Sequence, residues 1–271
     1  MMVMEKLDMD NKSCIKCIVE GIERYFRMFA QSGIIENHKG NIEWIKPIPG
    51  AVGPSIVYKI TLDDERAYEE IDSIIPDLKN GVIPSFWYVT PTSTPDNIID
   101  ILKNKGFKGE VPINDSEKEY GMALDLCTIL EWPDINPKIE VKRVQTKPDF
   151  KQWVDIVNTA LHGWNMIDIE HYYTWVLQND FTFYIGYINN IPVSTAATIT
   201  SNENASLEFV ATLAEYRNRG AATAVCIEVL KELKSNGVRT VILGSSPEAT
   251  SLYMKLGFLP YFEKMLMTFA G

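Results

Sequence analysis

The stretch Leu207-Glu208-Phe209-Val210-Ala211-Thr212-Leu213-Ala214-Glu215-Tyr216-Arg217-Asn218-Arg219-Gly220-Ala221-Ala222-Thr223 decides how this chain is read. An apolar strand runs into a turn bearing two arginines and a glycine, and the turn opens a helix. The first backbone N–H groups of a helix lack intrahelical partners, and the helix dipole adds partial positive charge at the same end. Arg217 and Arg219 flank the turn, and Gly220 lets a ligand approach the backbone closely. The segment therefore predicts an anion site built for phosphates.

The spacing Arg217-x-x-Gly220-x-Ala222 is neither of the common nucleotide loops. A P-loop needs Gly-x-x-x-x-Gly-Lys-Ser/Thr, and a dinucleotide loop needs Gly-x-Gly-x-x-Gly. A second motif follows, Ser246-Pro247-Glu248-Ala249-Thr250-Ser251-Leu252-Tyr253-Met254-Lys255-Leu256-Gly257-Phe258. The pair resembles two elements of the GNAT superfamily of acyl-CoA-dependent N-acyltransferases. One is the pyrophosphate loop Arg/Gln-x-x-Gly-x-Gly/Ala. The other is Asn-x-x-Ala-x-x-x-Tyr-x-x-x-Gly-Phe, with Ser246 standing where Asn is usual.

The elements around these motifs follow from periodicity and breakers. Ile139–Val144 alternates like a strand, and Asp149–Leu161 carries helical spacing. Phe181–Ile188 and Pro192–Thr200 read as strands joined at Asn189-Asn190. Ala205–Thr212 is the next strand, Ala221–Ser235 a helix stopped by Asn236-Gly237, and Arg239–Gly244 a strand. Glu248–Leu256 is a helix ended by Gly257, and Leu259–Phe269 is one strand or two. Strands 205–212 and 239–244 with a helix between them predict parallel neighbours.

The N-terminal half echoes this order. Strand Phe86–Val89, a helix opened by Thr94-Pro95-Asp96 and closed by Lys105-Gly106-Phe107, and a strand at Met122–Leu126 parallel the C-terminal series. Strand Ser55–Ile60, however, runs into Thr61-Leu62-Asp63-Asp64-Glu65-Arg66, which lacks glycine and would repel a pyrophosphate. Leu102 stands where the C-terminal copy has Tyr253. The expected architecture is mixed α/β, a GNAT-like fold with a central mixed sheet flanked by helices, twice in tandem. Residues 1–131 form a degenerate GNAT-like domain without a cofactor site. The proline-bearing segment 132–138 is a linker, and 139–271 is the acetyl-CoA-binding catalytic domain.

Composition narrows the class. The chain has 271 residues, 46% hydrophobic and 23% charged, as in soluble globular proteins. No apolar run reaches the roughly 18 residues of a membrane span, and residues 1–11 lack a secretory h-region, so a cytoplasmic location is expected. Residues 1–137 hold 14 Lys+Arg against 23 Asp+Glu, or −9, while residues 138–271 hold 12 against 13, or −1. An acidic chain is a poor nucleic-acid binder. Cys14 and Cys17 fall on an amphipathic helical pattern with Ile15, Ile18, Ile22 and Phe26, and no second ligand pair follows them, so no metal is expected.

The resemblance implies acetyl-CoA as cofactor and a small-molecule or peptide amine as acceptor. It places the pyrophosphate on Arg217, Asn218, Arg219, Gly220, Ala221, Ala222 and Thr223, near Ser246. The pantetheine arm lies along Phe209 to Thr212, so Val210, Ala211 and Thr212 join the cofactor residues, with an oxyanion donor at the Val210 N–H. Tyr253 fills the position of the general acid. A phenol, with a pKa near 10, can protonate a thiolate whose pKa is near 8.5. Glu208 can act as base through a water, with His162, Asp168, Glu170 and His171 as further candidates. His162 and Trp164 fall where the acceptor pocket is expected, and Tyr172, Tyr173 and Trp175 either wall it or fill core. The alternative function is a non-catalytic acyl-CoA sensor or interaction module.

Overall fold

The computed structural model describes residues 11–109 and 118–271. The chain opens with helix α1 (Asn11–Phe29), strands β1 (Ile35–His38), β2 (Ile42–Pro47) and β3 (Ile56–Ile60), and helix α2 (Ala67–Lys79). Strand β4 (Phe86–Val89), helix α3 (Ile98–Asn104), and strands β5 (Phe107–Gly109) and β6 (Tyr120–Asp125) follow. The second series is β7 (Ile139–Arg143), α4 (Lys147–Val157), α5 (Ile169–Tyr172), β8 (Phe181–Ile188), β9 (Ile191–Ser201) and β10 (Asn204–Thr212). It ends with α6 (Ala221–Ser235), β11 (Thr240–Ser245), α7 (Pro247–Lys255), β12 (Leu259–Glu263) and β13 (Met265–Phe269).

Two mixed sheets result. One has the order β1-β2-β3-β4-β13-β5, the other β12-β6-β11-β10-β9-β8-β7. Read outward from the helix-linked parallel pair, the orders match strand for strand: β3 with β10, β4 with β11, β5 with β12. The expected repeat is therefore present as topology. Each half's closing strand, however, lies in the other half's sheet. Strand β6 is antiparallel to β11 on one edge and β12 on the other, with Ile242 opposite Ala123 and Leu259 opposite Ala123. Strand β13 sits likewise between β4 and β5, with Met267 opposite Trp87 and Gly109. The segment 259–269 is thus two strands in two sheets, and sheet membership crosses the chain position of the proline-bearing segment 132–138. Trp132 and Ile135 of that segment pack on the second core.

Local chemistry sets the element ends. Thr146 and Asp149 form a reciprocal capping box on α4, with proline in its first turn, so the helix starts two residues before the expected Asp149. It then widens into a π-turn, Asn158–His162, that ends at Gly163 in the left-handed region. The β8–β9 hairpin turns on Asn189 and Asn190, both with positive φ, as a two-residue hairpin demands. Helix α3 begins at Ile98, later than Thr94-Pro95-Asp96 suggests, because Thr90 and Ser93 hold a turn through the Ser93 Oγ bond from Thr90 N–H.

Helix α1 ties the sheets together. Cys14, Ile18 and Ile22 face Tyr88 of the first sheet and Ala123 and Ile242 of the second. Gly21 lets the helix lie on Ile242: a Cβ there would sit 1.9 Å from Ile242 Cδ1. On its other side Arg27 bonds Glu23 (2.7 Å) and Glu43 (3.0 Å), and Lys59 pairs with Glu43 (3.2 Å). Tyr58 Oη also donates to Glu43 (3.1 Å). Burial opposes ionisation of Glu43, but the bonds from Arg27 and Lys59 hold its carboxyl below the usual range. Such a network fixes the helix in place more than it adds net stability.

Met267, fully buried against Val57 and Trp87, is a core residue of the N-terminal sheet delivered by the C-terminus. Met267→Ala is expected to cost about 2–5 kcal/mol. The two halves should unfold together in one urea transition, coincident by tryptophan fluorescence and circular dichroism. Two separated transitions would mean that the exchanged strands do not couple the sheets.

Candidate functional site

The parallel contact between β10 and β11 is short. Asn204, Ala205 and Ser206 register with Thr240, Val241 and Ile242, and there the pairing ends. On its other edge β10 pairs with β9 until Glu208 opposite Ala197, skips, and resumes at Ala211 opposite Thr195. The skip is a bulge, and Phe209 carries it with φ +51. A non-glycine residue in that region is strained and needs its surroundings to hold it. Phe209 is held by Trp153 (ring centroids 5.1 Å), Tyr25 (5.4 Å) and Trp175 (6.2 Å). Its carbonyl accepts from Thr195 Oγ1 (2.9 Å), and that of Ala211 from Ser194 Oγ (2.8 Å). The bulge turns Val210 out of the ladder at the mouth of the gap between β10 and β11.

The gap leads to the turn at 217–220. Asn218 (φ +59) and Gly220 (φ +85) both adopt the left-handed conformation, and α6 starts at Ala221. The first bond back into the helix start is Ala224 N–H to Gly220 O (2.9 Å), so the N–H groups of Ala221, Ala222 and Thr223 precede the helical ladder. Arg217 braces the turn from beneath, donating Nε to Thr212 O (3.2 Å) and Nη2 to Ala160 O (3.4 Å). Arg219 lies over the Tyr216 ring at 5.1 Å. The donor set, two left-handed residues and a helix start at the end of a split sheet fit a pyrophosphate followed by an extended arm.

Beyond the bulge lies a cavity of about 520 Å³. Glu208, Val210, Ser246 and Tyr253 line it from the second sheet and α7; Tyr25 and Phe26 line it from α1. Tyr88 of β4, Glu119 and Lys264 complete it from the first half and the strand crossing. Burial pushes the Glu208 carboxyl up to about 8, against the pull of a Ser206 hydrogen bond and the Lys264 charge. Burial also raises the Tyr253 phenol well above 10, with Cys226 and Glu208 adding to it, so Tyr253 holds its proton at neutral pH. Tyr253 packs edge-on against Phe258 at 5.8 Å. Ser246 caps α7 without a side-chain bond to the helix.

The other candidate bases lie elsewhere. Asp168 caps α5, accepting from His171 N–H (2.9 Å), and pairs with the His171 ring (2.8 Å). Glu170 pairs with Lys147 (3.0 Å). His162 ends the π-turn with Nε2 buried and unpartnered among the described residues, and burial lowers its pKa. Neither His162 nor the half-exposed Trp164 lines this cavity, although the adjacent Leu161 does. Tyr172 and Trp175 are core residues against Phe29. Sequence reasoning missed Tyr25, Phe26, Tyr88, Glu119 and Lys264, since they reach the cavity only through α1 and the strand exchange.

The corresponding gap in the first sheet is stitched shut. Past β3 and β4, Thr61 bridges Thr94 in parallel, Thr94 N–H donates to Ile60 O (3.0 Å), and Leu62 N–H donates to Thr94 O (3.2 Å). Thr94 Oγ1 adds a bond to Leu62 O (3.0 Å). Among the described residues, no group of three or more His, Cys, Asp or Glu side chains is placed to hold a metal ion. None of the helices among the described residues is long and apolar enough to cross a membrane.

Residues 148–258 match the model of the acetyltransferase (GNAT) family. A GCN5-related N-acetyltransferase from Kribbella flavida has a similar fold over 98% of this chain and 97% of its own, with TM-score 0.68 and 13% identity. A putative GNAT-family acetyltransferase from Novosphingobium aromaticivorans aligns over 93% and 99%, with TM-score 0.51 and 16% identity. A conserved protein of unknown function from Staphylococcus epidermidis aligns over 86% and 92%, with TM-score 0.57 and 12% identity. The likeness spans both halves, and the chain is a tandem GNAT fold. Comparison with curated proteins gives no match.

Gly220→Val places a β-branched residue at φ +85, where such residues are outliers. The variant is expected to stay folded and to lose acetyl-CoA binding in calorimetry, while the unaltered chain binds one equivalent. Unchanged affinity, or two equivalents per chain, would count against the turn at 217–220 as the single site.

Proposed function

We propose that the protein is an N-acyltransferase that moves an acetyl group from acetyl-CoA to a primary amine of a small molecule or peptide by direct transfer. The observation that carries this reading is the split between β10 and β11. It ends beside a cavity holding a carboxyl raised toward neutrality and a protonated phenol, and the Gly220 turn follows β10 in the chain. The match of residues 148–258 to the acetyltransferase (GNAT) family model supports acyl transfer in general.

Bound acetyl-CoA would supply an activated thioester carbonyl. Ala221, Ala222 and Thr223 would hold its pyrophosphate through their N–H groups, with Arg217, Asn218 and Arg219 shaping the turn. Val210, Ala211 and Thr212 lie along the open edge for the extended arm, with the Val210 N–H as the donor toward the carbonyl oxygen. Glu208 takes the proton that the acceptor ammonium must lose, directly or through one water. Its raised value suits that task, because a base is most effective when its pKa lies near the working pH. Tyr253 keeps its proton at Oη until the leaving sulfur needs it. The stitched first sheet and its acidic turn support a first half that binds no cofactor of its own.

Tyr253→Phe should lower kcat by roughly 10²–10⁴-fold in a thiol-release assay, with acetyl-CoA affinity and melting temperature nearly unchanged. Equal turnover would make Tyr253 a packing residue.

In the same assay kcat/KM should rise with pH to a half-maximum near 8, and Glu208→Gln should abolish that limb. The folded value lies above the ordinary 4.5. The folded chain therefore holds the extra proton, and this carboxyl's contribution to stability falls as pH rises from about 4.5 to about 8. Glu208→Gln should flatten the stability curve in that window. An unchanged pH–rate profile would remove Glu208 from the role of base.

A further inference from the structure

The place where the two exchanged strands cross lies inside the cavity. Lys264, between β12 and β13, donates its N–H to Glu119 O (2.8 Å), just before β6, and its ammonium pairs with the Glu119 carboxylate. That ammonium has three N–H donors, and the bond to Glu119 uses one. It lies 5.7 Å from the centre of the Tyr88 ring. Gly244, near the end of β11, lies against it: a Cβ there would sit 3.4 Å from Lys264 Nζ, an ordinary contact. Tyr88 is 5% exposed, and its Oη finds no hydrogen-bond partner among the described residues. A buried hydroxyl without a partner is costly and calls for an explanation, of which a polar ligand atom reaching it is one.

The cavity therefore carries two kinds of polar group. Glu208, on the second sheet, is suited to an amine. Lys264 Nζ and Tyr88 Oη, at the strand crossing, are donors suited to an oxygen anion. The rings of Tyr25 and Phe26 offer an apolar wall between α1 and the sheets. We propose that Lys264 and Tyr88 form a subsite for a carboxylate on the acceptor, so that the substrate class is an amino acid or related amino-carboxylate. The proposal rests on the acyltransfer reading for the position of the amine, and it gives the first half a task in choosing the acceptor.

The test compares matched pairs that differ only by the carboxylate: phenylalanine with phenethylamine, tyrosine with tyramine, lysine with cadaverine. Binding is read by calorimetry on the free and CoA-saturated protein, and turnover by thiol release. The carboxylate member of at least one pair is expected to bind and react roughly 10–100-fold better, the weight of a charge-assisted hydrogen bond. Lys264→Met should erase that preference, read as the ratio between the two members of a pair, because the loss of the Lys264 charge near Glu208 acts on both members alike. Tyr88→Phe removes an unpartnered hydroxyl, so it should leave the melting temperature of the free protein unchanged or raised and cut the preference roughly threefold or more. It keeps the test open if Lys264→Met fails to fold. Equal or better handling of the decarboxylated amine in all three pairs overturns the subsite, and a preference for cadaverine among them would mark a site for a second cation. A loss in Lys264→Met that is equal for both members also overturns it, by assigning Lys264 to tuning Glu208. Carboxylate-dependent binding without any turnover would sustain the subsite and overturn acyl transfer.

Discussion

Strand β6 cannot complete the first sheet, nor β13 the second, because each is hydrogen-bonded on both edges inside the opposite sheet. The exchange is not a detachable decoration. Removing β13 would leave β4 and β5 without partners on one edge and open the core around Met267. An exposed pair of strand edges invites association, and the exchange fills both. It also requires two chain crossings at one place, and Glu119 and Lys264 meet there. The same geometry that joins the halves therefore delivers charged groups from distant parts of the sequence to the wall of the cavity.

The second constraint is local. Parallel strands β10 and β11 separate after three residue pairs, and a strand that leaves its neighbour exposes unpaired backbone groups. The bulge at Phe209 makes the departure permanent. Its left-handed backbone is held by the packing of its own side chain among Trp153, Trp175, Tyr25 and Phe29, so an aromatic core maintains an open edge. Two of those rings come from α1. The N-terminal helix thus supports the bulge as well as lining the cavity, and the charge network of Arg27 with Glu23 and Glu43 fixes where it lies.

Much of this was legible in the sequence. The strand, turn and helix around Gly220 and the helix ended by Gly257 follow from turn chemistry and spacing, which act over a few residues; the second motif ending at Phe258 rests on resemblance. The echo in the first half followed from the same local signals and returned as matched strand orders. What could not be read is what depends on long-range pairing. Nothing in Met265–Phe269 says which sheet it will join, because an alternating apolar strand is compatible with either. The positive φ of Phe209 has no glycine to announce it. His162 and Trp164 do not line the cavity, whereas Tyr88 and Lys264, whose place depends on the exchange, do.

The two halves show how one topology supports opposite outcomes. In the second sheet, β10 and β11 separate, and a glycine-bearing turn leaves helix N–H groups open to an anion. In the first, Thr94 ties the chain beyond β4 to the chain beyond β3 through three hydrogen bonds, and Asp63, Asp64 and Glu65 occupy the turn. A closed seam and an acidic turn both oppose a pyrophosphate, one by geometry and one by charge. With the seam beyond its parallel strands closed, the first half packs Tyr88 against its neighbour. The repeat has kept the sheet that holds Tyr88 and β13 in register. On this view its contribution is a rigid wall facing the split of the other half.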